Sequence, residues 1–148
     1  METLFESYIA VQLRKTLNSN QYSLSTQDKK YHLFDAPKPQ FQMKPDIVVN
    51  DKVNENIYIM DTKWKVLSSA YHNYGISQAD MYQMYAYQKK YQAENVTLLY
   101  PLTDKVANSA PIEFTSNDGV LVKVRFVDLF DVKNSLAYIM TDLNAENE

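Results

Sequence analysis

Asp46, Asp61 and Lys63 are the residues of this chain whose types and spacing could do chemistry together. Lys44-Pro45-Asp46-Ile47-Val48-Val49 and Tyr58-Ile59-Met60-Asp61-Thr62-Lys63-Trp64-Lys65 read as two strands joined through a polar turn over residues 50–56. Strand side chains alternate in direction, so Asp61 and Lys63 share one face while Met60 and Thr62 take the other. A carboxylate and an ammonium at the end of an apolar strand lose hydration that Val or Ile would not lose, which favours a chemical reason for them. Asp46 and Asp61 suit a hard divalent cation such as Mg²⁺. Two carboxylates leave its remaining positions to waters, a backbone carbonyl near Thr62 and a substrate oxygen. Lys63 would then orient an attacking water, help to deprotonate it, or stabilise developing charge, and the residues leave that choice open.

The elements that must position these three are legible from periodicity. Phe5, Ile9, Leu13 and Leu17 recur at spacing four and predict a helix over residues 4–17, its stripe widened by Leu4 and Tyr8. Residues 18–39 are polar and turn-rich, with short strand-like pieces at Tyr22-Ser23-Leu24 and Tyr31-His32-Leu33-Phe34. Residues 41–49 form a strand region interrupted by Pro45, which has no N–H for a central ladder. Ser77 and Asp80 resemble a capping box that opens a helix through Tyr91, apolar or aromatic nearly all round and therefore packed on a sheet and partly covered. Val96-Thr97-Leu98-Leu99-Tyr100 reads as a parallel strand buried on both faces. Asn117-Asp118-Gly119 marks a second hairpin, between residues 112–115 and 120–127, and helical spacing resumes after Asp131.

Composition bounds the class. The chain has 148 residues, enough for one core, and residues 1–148 are expected to form a single domain. It is 45% hydrophobic and 22% charged, with no apolar run long enough to span a bilayer, so no membrane partner is expected. The first residues carry acid where a secretory signal would carry base, and the absence of cysteine excludes disulfides and thiolate metal sites and fits a reducing compartment, with cytoplasmic as the default. A net charge of −3 argues against coating nucleic acid through bulk electrostatics. Local sign differs, because Lys44, Lys52, Lys63 and Lys65 cluster near the two strands while acid gathers in a frayed tail over residues 142–148.

Pro45-Asp46 followed by Asp61-Thr62-Lys63 resembles the signature of the PD-(D/E)xK nuclease superfamily. Gln83-Met84-Tyr85-Ala86-Tyr87 is similar to the QxxxY motif of its RecB-like branch, and Glu6 sits where those enzymes place an acid on the first helix. Met43-Lys44-Pro45-Asp46-Ile47, Asp61-Thr62-Lys63-Trp64-Lys65 and the run from Asp80 to Tyr87 resemble, more narrowly, the nuclease domain of the McrC family, the cleavage subunit of modification-dependent McrBC systems. The likeness covers residues 4–100 well and the remainder only by general pattern. It implies an α/β fold with a restriction-endonuclease-like core, a mixed central sheet flanked by helices. It also implies Mg²⁺-dependent cleavage of DNA, with Mn²⁺ as a substitute. Asp46, Asp61 and the Thr62 backbone would be metal ligands, and Lys63, Gln83 and Glu6 would complete the catalytic set. The implied partners are DNA, a McrB-like AAA+ GTPase and, for double-strand cleavage, a second copy of the chain. McrC proteins usually carry a motor-binding N-terminal region, whereas this chain starts almost at the first nuclease helix, so dependence on the motor stays open.

Plainer readings stand beside these. Glu6 also fits a solvent-facing helix position, and Gln83 and Tyr87, four apart on one face, also fit a Tyr-rich packing surface. His32 and His72 are isolated and read as surface or loop residues. Most of the 12 tyrosines, and Trp64, fall at packing positions, while Lys65, Lys89 and Lys90 are either solvated or phosphate contacts. The competing function is a non-catalytic nuclease-fold module for DNA docking or assembly with a motor. Retention of both acids and the lysine argues against it, since clustered like charge is costly without a use. A phosphodiesterase acting on RNA or DNA ends is a third. Sequence and methylation specificity are not visible in the residues.

Overall fold

Phe5, Ile9 and Leu13 lie on one helical stripe, and α1 (Glu2–Thr16) buries all three. The computed structural model describes residues 1–107 and 111–143. Leu4 and Tyr8 do not widen the buried stripe. One position before Phe5 and Ile9, they are rotated about 100° around the axis and remain exposed.

The turn-rich region forms β1 (Tyr22–Thr26) and β2 (His32–Phe34), followed by β3 (Gln40–Gln42). Residues 41–49 therefore belong to two strands in different sheets. β2 and β3 pair only with each other, and β4 (Ile47–Asp51) starts after Pro45, which supplies no ladder N–H. β4 and β5 (Asn56–Thr62) form the expected antiparallel hairpin, with Ile47 opposite Met60. Asp51, 1% exposed, closes its turn by accepting from the Val53 and Asn54 backbone N–H groups at 3.1 Å each. Burial alone would push its carboxyl up, but these bonds and those from the Asn54 and Gln21 amides hold it below the usual range.

A turn at His72–Gly75 leads to α2 (Gln78–Tyr91), then β6 (Asn95–Pro101), β7 (Ile112–Thr115), β8 (Leu121–Val127) and α3 (Val132–Thr141). The main sheet runs β1-β4-β5-β6-β8-β7. β6 is parallel to both β5 and β8, and the other pairings are antiparallel, so the sheet is mixed. Every β6 residue is buried, as its uninterrupted apolar run predicts for a strand covered on both faces.

α2 covers one face through Met84, Tyr87 and Tyr91 against Val48, Ile59 and Leu98. α1 and α3 cover the other, where Ile9, Leu13 and Leu136 meet Val49, Tyr58 and Met60. The result is an α/β fold with a mixed six-stranded sheet between helices, compatible with the restriction-endonuclease-like architecture. α2 is partly covered, as its composition predicts: Tyr82 and Tyr85 stay exposed because only the sheet-facing side of the helix is packed. The acidic tail is described only to Leu143, with residues 144–148 outside the described residues. Asp142 is not frayed but holds Arg125, accepting from Nε at 3.0 Å and Nη2 at 2.7 Å. No described helix is long and apolar enough to cross a membrane.

Candidate active site

The β4–β5 hairpin brings the two acids together as its register demands. Asp46 immediately precedes β4, and its backbone N–H donates to Asp61 Oδ1 at 3.2 Å across the pair. On β5, Asp61 shares the α2-facing side with Ile59, and Thr62 turns to the opposite side. Even so, the Thr62 backbone N–H (2.9 Å) and hydroxyl (3.0 Å) both donate to Asp46 Oδ2. Thr62 thus clamps the first carboxylate against the strand carrying the second, whatever its carbonyl does. Asp61 is 3% exposed. Burial, then the Asp46 charge, pushes its carboxyl up to about 7, against the opposing pull of Lys63.

Lys63 Nζ lies 3.0 Å from Asp61 Oδ2 and 3.6 Å from Asp80 Oδ1. Burial opposes its charge, but the attraction of Asp61, Asp80 and Asp46 outweighs burial and holds its pKa above the ordinary lysine value. It is therefore an ammonium between carboxylates. Asp80 carries information absent from its reading as part of a capping box. Ser77 Oγ does accept from the Asp80 N–H at 3.0 Å and caps α2, while the Asp80 carboxylate turns to Lys63.

Glu6 joins the site through Gln27, a residue sequence reasoning missed because it belongs to no motif. Gln27 Nε2 donates to Glu6 Oε1 and, at 3.2 Å, to Asp46 Oδ1, while the Gln27 N–H donates to the Asp46 carbonyl at 3.0 Å. The Glu6 carboxyl is raised by burial and by Asp46, with Gln27 pulling the other way. Among the described residues Gln83 makes no hydrogen bond to the acids. Its Nε2 donates to Tyr87 Oη at 2.9 Å. The Tyr87 phenol feels the acids: burial, then the charges of Asp61 and Asp46, pushes its pKa well above the ordinary value, with the Lys44 backbone opposing.

Among the described residues no three His, Cys, Asp or Glu side chains form a cluster able to hold an ion unaided. The donor set still fits a hard divalent cation. Two carboxylates forced together in a buried place, with one ammonium to balance them, lack positive charge, and Mg²⁺ is an ion that retains several waters. Lys65 donates to the Gly75 carbonyl at 2.5 Å, Lys89 pairs with Asp118 at 3.2 Å, and Lys90 pairs with Asp35 at 3.5 Å, so all three are engaged within the chain. Trp64 lies against Phe5, ring centres 5.3 Å apart, but stays partly exposed, so it packs on one side only. His72 is exposed and His32 half-buried, and neither meets the acids. A cavity of about 520 Å³ lies over Arg125, Glu113 and Asp142, away from this cluster.

No curated protein matches the chain at a significant level. The family model of the McrBC 5-methylcytosine restriction system component matches residues 1–101, a span that runs from α1 to the end of β6 and takes in Glu6, Gln27, Asp46, Asp61, Lys63 and Asp80. The chain belongs to that family, and its role lies in modification-dependent restriction.

Proposed function

We propose that the chain is a Mg²⁺-dependent DNA endonuclease of PD-(D/E)xK type, the McrC-like cleavage component of its restriction system. The observation that carries the reading is the pairing of Asp46 with buried Asp61 at the hairpin end, beside the Lys63 ammonium. Asp46 and Asp61 would hold the ion, with the Thr62 carbonyl as a further oxygen. Mg²⁺, or Mn²⁺ in its place, supplies charge neutralisation at the scissile phosphate and acidifies a water at neutral pH. The chain's own residues do the positioning. Thr62 and Gln27 fix the Asp46 carboxylate, and Asp61 and Asp80 hold Lys63 between them. Lys63 then donates hydrogen bonds to the attacking water and to the oxygens that gain charge as the P–O bond breaks. Gln83 acts through Tyr87 rather than on the reacting atoms, and Glu6 acts through Gln27. In this reading the partners are DNA, a McrB-like AAA+ GTPase that supplies translocation, and a second copy where both strands are cut.

The test is nicking of supercoiled plasmid by the chain with Mg²⁺, Mn²⁺ or chelator, alongside Asp61→Ala and Lys63→Ala. Metal-dependent cleavage lost in both variants supports the reading. Full cleavage by Lys63→Ala would sink it. Silence in every lane, together with no divalent-ion binding at Asp46 and Asp61, would favour a non-catalytic docking module.

A further inference from the structure

The chain leaves the main sheet at Gln27, forms the β2–β3 hairpin and returns directly into Asp46. Both ends are therefore tied to the candidate site. Met43 anchors the return, buried to 6% exposure with its N–H donating to the Tyr31 carbonyl at 2.9 Å. The outer part of the hairpin has another character. Phe34 and Phe41 are 55% and 70% exposed and meet edge to face, ring centres 6.0 Å apart, contributing to neither core. Phe41 is held at φ 58°, in the left-handed region that a bulky side chain rarely adopts. Folding stability gives no reason to strain a residue in order to present an aromatic ring to water.

The charge around the rings is complementary to a polyanion. Lys29, Lys30, Lys38 and Lys44 are exposed on this segment, and none forms a salt bridge among the described residues. The opposing acids are already engaged, since Asp28 accepts from the Tyr91 hydroxyl at 2.6 Å and Asp35 pairs with Lys90 at 3.5 Å. Lys44 stands two residues before Asp46, within roughly 7 Å along an extended chain. Charge that is negative overall is thus locally positive beside the carboxylates.

We propose that the β2–β3 hairpin grips duplex DNA next to the scissile phosphate. Phe34 and Phe41 form an apolar wedge against the sugar and base faces of the minor groove, and Lys29, Lys30, Lys38 and Lys44 contact flanking phosphates. This rests on the nuclease reading and adds the surface by which that site takes its substrate.

The test measures binding without cutting. In an Asp61→Asn background, a fluorescein-labelled DNA duplex is titrated by anisotropy across a salt series. Two surface variants are compared, Phe34→Ser with Phe41→Ser, and Lys29→Gln with Lys38→Gln. The phenylalanine pair is expected to weaken binding about tenfold with an unchanged salt slope, and the lysine pair to reduce the slope by about 2. Mn²⁺-induced thermal stabilisation, measured with Asp61 intact, should be retained in both. Unchanged DNA affinity in both pairs, or no DNA binding by the parent, overturns the hairpin proposal. So does a phenylalanine variant that changes only the oligomeric state, which would assign the rings to contact between copies. Mn²⁺ stabilisation that persists through those failures leaves the nuclease reading standing, and its absence removes that reading as well.

Discussion

Divalent-ion binding should be strongly pH-dependent near neutrality, because the ion competes with a proton on Asp61. The carboxyl is raised from 3.8 to about 7 by burial and by Asp46. That is a difference of about 3 pH units, or about 4 kcal/mol against the charged form at about 1.36 kcal/mol per unit. A ligand carboxylate must be ionised, so apparent affinity falls about tenfold for each pH unit below about 7 and levels off above it. Between pH about 8 and about 5.5 the loss is roughly thirtyfold, whereas unperturbed carboxylates would give almost none. The apo protein follows the same linkage with definite sign. A carboxyl raised in the folded state contributes stability that is complete below 3.8 and lost as pH rises through about 7, so the metal-free melting temperature falls across that window. Glu6, also raised, adds in the same direction, while Asp51, which is lowered, acts at lower pH. The assay is calorimetric Mn²⁺ titration with parallel melting curves across the range. Asp61→Asn should abolish the binding and flatten the apo pH dependence. Affinity that stays constant from pH about 5.5 to about 8.5, or a metal-free melting temperature that rises on crossing pH 7, would refute the reasoning.

Further outcomes follow from the contacts around the acids. Gln27→Ala removes the amide that joins Glu6 to Asp46 and should weaken Mn²⁺ binding on the order of tenfold by calorimetry while the fold persists. Asp80→Asn leaves the ion ligands intact but takes a carboxylate away from Lys63. Plasmid cleavage should slow about tenfold with Mn²⁺ affinity unchanged, and a parallel loss of affinity would count against a role through Lys63. Met84→Ala opens a void between α2 and the sheet and should cost about 2–5 kcal/mol in denaturant unfolding.

Much of the fold was legible because local rules and tertiary packing agreed. The stripe Phe5, Ile9, Leu13 became α1, the apolar run at residues 96–100 became a strand buried on both faces, and Asn117-Asp118-Gly119 became a turn with Gly119 at φ 90°. Legibility failed where only the third dimension decides. Pro45 signalled an interruption, but not that the residues before it would leave the main sheet and pair with β2. The aromatic content of α2 signalled a helix packed on the sheet and partly covered, but which aromatics would stay outside, Tyr82 among them, depended on the one side that the sheet face buries.

The candidate site divides along the same line. Period-two alternation in the residues themselves put Asp61 and Lys63 on one face, and a polar turn of the right length returned Asp46 to them, because side-chain direction and hairpin pairing are properties of adjacent sequence. The positions of Gln27, Asp80 and Glu6 were not available in that way. Gln27 meets Asp46, Asp80 meets Lys63 and Glu6 meets Gln27 across sequence separations bridged only by packing: Gln27 by the return of β1 along β4, Asp80 by the seating of α2, Glu6 by α1 across the opposite face. The upward shift of Asp61 likewise exists only in the folded chain, since burial and the approach of a second carboxylate are consequences of tertiary structure.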